Sequence, residues 1–286
     1  MEIKYGRKKS SIRKALREKL DEWIASTDDV DLQHLIKRDV IVTGGSIASM
    51  LLGKPVNDYD VYFKTKETTL AVAKYYVNWF NSLDRNVKVE VKEAQLKNCK
   101  GETEDRVVVY VPSAGVADAS DAATPDIESG VKYVPVFLST NAITLSNDVQ
   151  IVIRFYGSPK EIHNNYDFAH AMSYYDYQKD VLEVPAEALE CLLSRHLVYR
   201  GSLYPIASIF RMKKFLERGW RITAGQQLKI MWQISELNLK DREVLTEQLT
   251  GVDQAYLRML IEALKEVDMD IVNSTYVATI IDRIFE

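Results

Sequence analysis

The sequence lacks the residue patterns on which several common enzyme classes depend. Its 286 residues include only two cysteines, Cys99 and Cys191, which stand far apart and without CxxC spacing. This excludes a zinc site built from cysteines and indicates a reducing compartment, so we expect a cytoplasmic protein. The sequence also has no GxxxxGK(S/T), GxGxxG or GxSxG pattern, which excludes a P-loop, a dinucleotide-binding turn and a serine-hydrolase nucleophile.

Long apolar runs are missing as well. No stretch approaches the roughly 20 apolar residues that a membrane-spanning helix needs, and the basic N-terminus has no apolar segment typical of a secretory signal. We therefore expect no membrane partner. The net charge of −4 argues against general nucleic-acid binding. Basic residues nevertheless gather at 4–19 and 195–221, where they form either solvated helix faces or a contact surface for RNA.

The chain is 47% apolar, which is enough to bury a full core. Apolar residues at intervals of three and four predict helices at residues 10–26, 46–52 and 68–83. The buried face of the first helix is predicted to carry Ile12, Leu16, Leu20 and Trp23. Apolar runs predict strands at residues 39–43, 59–63, 87–91, 107–111, 134–138, 142–145 and 149–155. The polar segment 112–130 is typical of an exposed loop, and helical periodicity dominates from about residue 185.

The stretch from Thr43 to Phe63 carries the pattern that points to chemistry. Its first strand runs into Gly44 and Gly45, which let the backbone approach a bulky ligand because they have no Cβ atom. A helix then begins at once, and its free N–H groups and dipole favour a phosphate group. Ser46 is predicted to cap this helix, and its hydroxyl can donate to the same ligand.

The second strand of this stretch carries the acidic residues Asp58 and Asp60. Residues two apart on a strand project from the same face, so Tyr59, Val61 and Phe63 are predicted to point the other way, into a core. Two adjacent carboxylates repel each other unless a cation lies between them, and magnesium takes oxygen ligands from carboxylates and substrate phosphates. A phosphate-binding turn beside such a carboxylate pair suits displacement at a nucleotide α-phosphate.

This stretch resembles the signature of the DNA polymerase β-like nucleotidyltransferase superfamily, in which a strand, two small residues, a short helix and Asp-x-Asp follow in this order. The motifs GGS, LLG and DYD, at residues 44–46, 51–53 and 58–60, are similar to those in the head domain of tRNA CCA-adding enzymes and bacterial poly(A) polymerases. The segment YDFAHAM at 166–172 is similar to the end of that head domain. The motif that selects C and A there is not recognisable, so the resemblance does not extend to the choice of nucleotide.

A second resemblance covers the C-terminal part of the chain. The segments GSLYPI at 201–206 and GVD at 251–253 are similar to a nucleotidyltransferase type of large tailed phages. If a phage encodes the chain, the expected location is the cytoplasm of the host.

The resemblance implies an α+β fold, with a nucleotidyltransferase-like mixed sheet and flanking helices followed by an α-helical domain. It implies a nucleotidyltransferase head domain at 1–165 and a helical C-terminal domain at 166–286. The implied reaction is magnesium-dependent transfer of NMP from an NTP such as ATP to an acceptor, for which we expect a tRNA-like RNA 3′ end. The residues implied to bind the nucleotide are Gly44, Gly45 and Ser46, and those implied to hold two Mg²⁺ ions are Asp58 and Asp60.

Four further residues are candidates for the same site. Arg154 stands among apolar neighbours, where it forms a structural pair or contacts the triphosphate. Glu90, Asp148 and Asp167 are alternatives for a third carboxylate. Asp167 lies in the segment that resembles the end of the head domain, and it could equally cap a helix that begins near Phe168.

Two other functions remain open from the sequence. The first is transfer of a nucleotide to a protein or a small molecule, as in toxin-like members of the superfamily. The second is a degenerate protein that binds a nucleotide or RNA without catalysis.

Overall fold

The structure is a computed structural model of the chain and describes residues 6–83, 88–98, 101–111, 116–118, 132–249 and 273–285. Cys99, Val87, the 251–253 motif and most of the predicted 112–130 loop lie outside the described residues. No helix within the described ranges is long and apolar enough to cross a membrane.

The described residues form ten α-helices and twelve strands. The helices are α1 (Lys9–Ala25), α2 (Val30–Asp39), α3 (Gly45–Leu51), α4 (Lys66–Ser82), α5 (Pro159–His163), α6 (Ala186–Ser194), α7 (Pro205–Glu217), α8 (Ala224–Ser235), α9 (Arg242–Leu249) and α10 (Ser274–Phe285). The strands are β1 (Val40–Thr43), β2 (Tyr59–Phe63), β3 (Glu90–Lys97), β4 (Thr103–Tyr110), β5 (Val116–Asp118), β6 (Pro135–Ser139), β7 (Ala142–Leu145), β8 (Val149–Val152), β9 (Tyr174–Asp176), β10 (Val181–Glu183), β11 (His196–Leu197) and β12 (Arg221–Ile222).

Eight of these strands form one mixed sheet in the order β10-β9-β1-β2-β8-β7-β6-β5. Strand β1 pairs antiparallel with both β2 and β9, whereas β2 pairs in parallel with β8. All four residues of β1 are buried, and its β-branched sequence suits such a central strand. The mixed sheet with flanking helices confirms the predicted α+β fold.

One face of this sheet packs against α1, α2 and α4 to form the main core. The predicted inner face of α1 is confirmed, because its four apolar positions are all buried: Ile12, Leu16, Leu20 and Trp23. Val61 and Phe63 of β2 are also fully buried in this core, as predicted. The indole Nε1 of Trp23 donates to the Tyr76 hydroxyl at 2.7 Å, so the one polar atom that Trp23 brings into the core is paired.

A buried carboxylate, Asp39, ties the end of α2 to the start of α4. It accepts hydrogen bonds from the hydroxyls of Thr65 and Thr68, both at 2.5 Å, and from the guanidinium of Arg38 at 2.9 and 3.0 Å. Burial raises the pKa of Asp39, but these hydrogen bonds lower it by more, and the net pKa lies below the usual value. The charged side chain is therefore stable where β1 begins.

Three sequence predictions about strands need correction. The strand expected at 87–91 begins only at Glu90 and runs to Lys97, in a separate two-stranded sheet with β4. Part of the expected 112–130 loop is the short edge strand β5, because Val116–Asp118 pairs with β6. The strand expected at 149–155 ends at Val152, where the chain leaves the sheet.

The chain divides into two compact units. The unit of the large sheet comprises Met1–Leu96, Asp105–Asn164 and His170–Leu193, and the other comprises Lys97–Glu104, Asn165–Ala169 and Ser194–Glu286. Within the second unit, α7 packs against α8 and α9, and Phe168 contacts the rings of Tyr199 and Phe215 edge-on. The domain division predicted at residues 165 and 166 stays a prediction.

Leu16→Ala should lower the free energy of unfolding by about 3 kcal/mol, because it leaves a cavity in the core that the helices and the sheet share. Leu193→Ala is the matched control: that leucine is 77% exposed, against 0% for Leu16, and its loss should change stability by less than about 0.5 kcal/mol. Urea unfolding followed by circular dichroism measures both. Equal effects of the two changes would contradict the packing of α1.

Candidate functional site

The turn after β1 is built on two glycines with different roles. Gly44 adopts φ 95° and ψ −150°, a region that is essentially restricted to glycine. Its N–H donates to the carbonyl oxygen of Ala171 at 3.2 Å, which fixes the turn against the segment before β9. A Cβ atom added at Gly45 would lie more than 4 Å from the surrounding atoms of the described residues outside its own turn. Neither strain nor crowding within the protein therefore requires glycine at position 45, and the space in front of it is open.

The predicted cap of the next helix is wrong. Gly44, not Ser46, is the N-cap residue of α3, and no side chain caps the helix. The helix begins one residue earlier than expected because Gly44 can take a backbone conformation that ends the strand abruptly. Ser46 instead lies in the first turn, where its hydroxyl is buried and makes no hydrogen bond to any residue that the structure describes.

Asp58 and Asp60 lie on the strand next to this turn. Asp58 is exposed and directly precedes β2, whereas Asp60 is its second residue and is half-buried. The register places Asp60 opposite Thr43 of β1 on one side and opposite Gln150 of β8 on the other. The structure therefore brings Asp60 beside the end of the strand that leads into Gly44.

The candidates for a third carboxylate have other surroundings. Glu90 is exposed and forms an ion pair with Lys92 at 3.2 Å, and Asp148 is an exposed turn residue before β8. Asp167 does not cap an α-helix, because only the short 3₁₀ turn Ala169–Ala171 follows it. Its carboxylate accepts a hydrogen bond from Arg211 Nε at 2.6 Å. Within the described residues, no group of three histidine, cysteine or acidic side chains could hold a metal ion.

Arg154 follows β8 and is buried. Its backbone N–H donates to the carbonyl oxygen of Asn141 at 3.3 Å, and its guanidinium lies 5.2 Å from the centroid of the Phe155 ring. These contacts fit a structural role, and contact with a triphosphate stays a prediction.

A buried histidine beside the turn was missed by the sequence analysis. His163, the last residue of α5, lies with its Nε2 atom 2.8 Å from the hydroxyl oxygen of Thr43. The single hydroxyl hydrogen of Thr43 is donated to the carbonyl oxygen of Ser173 at 2.8 Å. His163 must therefore donate through Nε2–H, and this pair of bonds holds the end of β1 to α5 and to the segment before β9.

Burial lowers the pKa of His163 to about 4, so the ring is neutral at physiological pH. The capping box of Ser158 and Glu161 was a sequence signal for helix α5. Nothing in the sequence indicated the contact with Thr43, because the two residues are 120 positions apart and only the sheet brings them together.

Acid should weaken the wild-type fold more than that of His163→Gln. Since the pKa of His163 falls from about 6.5 in the unfolded chain to about 4 in the folded one, only the unfolded state binds a proton between these values. The wild type should lose about 3 kcal/mol more than the variant as the pH falls from 7 to 4. Urea unfolding at both pH values measures the difference, and parallel losses in the two proteins would contradict this assignment.

Comparison with known proteins identifies relatives of the chain. A profile of the Gad2 family, described as Gabija anti-defense 2 family protein, matches residues 14–195. A phage protein, Gabija anti-defense 2 of Bacillus phage SPbetaL7, is 20% identical over 241 residues, which cover 84% of this chain and 48% of that protein. The chain thus spans about half the length of this relative.

Similar folds also occur among solved structures. A CCA-adding enzyme in complex with ATP is 14% identical with a TM-score of 0.46, covering 92% of this chain and 54% of the other. The Thermotoga maritima CCA-adding enzyme complexed with tRNA is 14% identical with a TM-score of 0.40, covering 91% and 53%. Similarity this distant does not establish a shared activity, whereas the profile match extends over more than half of the sequence. The chain belongs to the Gabija anti-defense 2 family.

Proposed function

We propose that this protein transfers the NMP group of an NTP to an acceptor, in a reaction that depends on Mg²⁺. The observation that carries the proposal is the position of Asp60, which lies directly beside the end of β1, from which the Gly44–Gly45 turn and α3 follow. This places an open, Cβ-free turn and a carboxylate on adjacent strands. The sequence order of the motifs alone could not establish that they are neighbours.

The side chains fit a magnesium site that uses substrate oxygens as further ligands. Asp58 is exposed and Asp60 half-buried, so solvent and ligand can reach both, and both offer the oxygen ligands that Mg²⁺ prefers. Two carboxylates supply few protein ligands, which suits a metal that is completed by triphosphate and water. Bound Mg²⁺ would polarise the phosphate and offset the charge of the departing pyrophosphate.

The protein's own groups would position the reactants. Gly45 leaves room for the triphosphate beside the backbone of the turn, and the backbone N–H groups there are donors for phosphate oxygens. The hydroxyl of the acceptor attacks the α-phosphorus and forms a new P–O bond, its proton passing to solvent. The bond from the α-phosphorus to the β-phosphate oxygen breaks, and pyrophosphate leaves.

The acceptor that we propose first is an RNA 3′ end. The second unit carries four exposed basic side chains from the predicted basic segment, Arg200, Lys213, Arg218 and Arg221. Exposed cations of this kind attract a phosphate backbone without reading its sequence.

A second candidate acceptor is a protein of the defence system that the family name mentions. The phage relative is described as Gabija anti-defense 2, and covalent nucleotidylation of a defence protein would fit such a description. Incubation with each α-labelled NTP, total RNA and purified defence proteins distinguishes the candidates by where the label is found.

Asp58→Asn and Asp60→Asn should each reduce transfer of label at least about a hundredfold, because loss of a metal ligand removes several kcal/mol of stabilisation of the transition state. Asp31→Asn, the same change at an exposed position on α2, is the control and should leave the rate unchanged. If both site variants transferred label at the wild-type rate, Asp58 and Asp60 would not be the metal ligands of the reaction, whereas a wild type that transferred no label would be a non-catalytic binder.

Gly45→Ala should raise the KM for the NTP about tenfold or more while the melting temperature stays the same or rises slightly. The added methyl group has no close contact among the residues that the structure describes, and alanine favours a helix more than glycine does, so any loss reflects the ligand. Gly225→Ala in the first turn of α8, where an added Cβ is equally clear of the described residues, is the matched control. An unchanged KM in Gly45→Ala would remove the turn from the nucleotide site.

Binding of RNA should weaken steeply with salt if the exposed basic side chains contact phosphates. The double variant Lys213→Ala, Arg221→Ala should reduce the slope of log K against log salt by up to about 2, one for each lost contact. Lys37→Ala, at an exposed position of α2, is the control with an unchanged slope. An RNA affinity that hardly changes between about 50 and about 200 mM salt would favour a protein acceptor.

A further inference from the structure

A row of five side chains crosses the sheet through Asp60. The residues that are paired directly across the strands β9, β1, β2, β8 and β7 are Tyr174, Thr43, Asp60, Gln150 and Thr144. Directly paired residues present their side chains on the same face of a sheet. In each strand, the residue adjacent to the row on its core-side register faces the other way and is buried in the main core. These residues are Tyr175, Val42, Val61, Ile151 and Ile143. The face that carries Asp60 is therefore polar along this row.

The two residues of the row on the side of β1, Thr43 and Tyr174, are already engaged in contacts within the protein. Thr43 uses its hydroxyl to donate to Ser173 and to accept from His163, and the ring of Tyr174 packs edge-on against His163 at 5.8 Å between centroids. Helix α5 therefore occupies the face on this side of Asp60.

The opposite neighbour of Asp60 is different. Gln150 is half-buried, and its side-chain amide forms no hydrogen bond or ion pair within the part of the chain that the structure describes. It thus offers a donor and an acceptor beside the proposed metal ligand, on a face that solvent reaches. A ligand held at Asp60 would extend over Gln150, because α5 occupies the other direction.

The side chains of the row limit which chemical group of a ligand can bind at Gln150. None of its five side chains is cationic, so the row cannot hold a phosphate through charge. A neutral amide with both a donor and an acceptor matches a hydroxyl, which also donates and accepts. The ribose carries the α-phosphate of an NTP, and its 2′- and 3′-hydroxyls are such groups.

We propose that Gln150 binds a ribose hydroxyl of the NTP, so that the site discriminates against a nucleotide that lacks this hydroxyl. The inference rests on the proposed function, since it places the NTP at Asp60. Gln150 would be a specificity residue: it contacts the sugar of the substrate and takes no part in the bonds that form and break.

The test is equilibrium binding of each of the four NTPs, each with its 2′-deoxy and 3′-deoxy analogue, in Mg²⁺ and without acceptor. The wild type should bind one deoxy analogue about tenfold more weakly than the parent nucleotide, the effect of one lost hydrogen bond. The analogue that loses affinity identifies the hydroxyl. Gln150→Met, which keeps the length of the side chain, should bind the parent and the analogue equally. Gln227→Met on α8, also half-buried, should discriminate as the wild type does.

Two results would overturn the proposal while the transfer reaction stands: a wild type that binds all three sugars equally, or a Gln150→Met variant that still discriminates. If the wild type bound none of the four NTPs and transferred no label, both the proposed nucleotide site and the proposed role of Gln150 would be wrong. Melting temperatures of the variants within a few degrees of the wild type verify that they are folded.

Discussion

The large sheet has to present two different faces, and the rest of this structure depends on that constraint. One face is buried by α1, α2 and α4 and is lined by apolar side chains from every central strand. Because side chains alternate along a strand, burying Val42 and Val61 obliges Thr43 and Asp60 to face the other way. The position of the acidic residue is thus fixed by the hydrophobic core behind it. Burial of apolar area stabilises the sheet against its helices. The register of β1 and β2 then determines where the polar residues on the other face lie.

The end of β1 connects the polar face of the sheet to the Gly44–Gly45 turn. Thr43 has its single hydroxyl hydrogen bound to Ser173 and its oxygen bound by His163. Gly44 follows in a conformation that suits glycine alone. A fixed strand end is thus followed by a turn of one allowed shape, and such rigid positioning is what the proposed transfer reaction would require.

The family relationship and the structure contribute different information. Membership in the Gabija anti-defense 2 family concerns a biological role, whereas the site describes a chemistry, and neither follows from the other. The phage relative is about twice as long as the region that this chain matches. The proposed reaction concerns the sheet unit, which contains both Asp60 and the turn after β1.

Local sequence patterns were sufficient for much of the fold. The spacing of Ile12, Leu16 and Leu20 predicted the buried face of α1, and the strands at 59–63 and 142–145 agree with β2 and β7. Errors arose where local signals compete. Ser46 has the chemistry of a cap, yet the backbone freedom of Gly44 determined where α3 begins. The strand expected to continue to residue 155 stops at Val152, because its pairing with β7 ends there.

The sequence by itself determined the kind of residues at the site: two glycines after a strand, and Asp58 and Asp60 at a spacing that follows from the period of a strand. Only the tertiary structure decided which residues stand beside them. His163 and Gln150 lie 120 and 90 positions from Thr43 and Asp60 in the chain, and no local pattern connects residues so far apart. Pairing of β1 with β2, and of β2 with β8, brings them together, because a sheet joins strands by backbone hydrogen bonds whatever their separation in sequence.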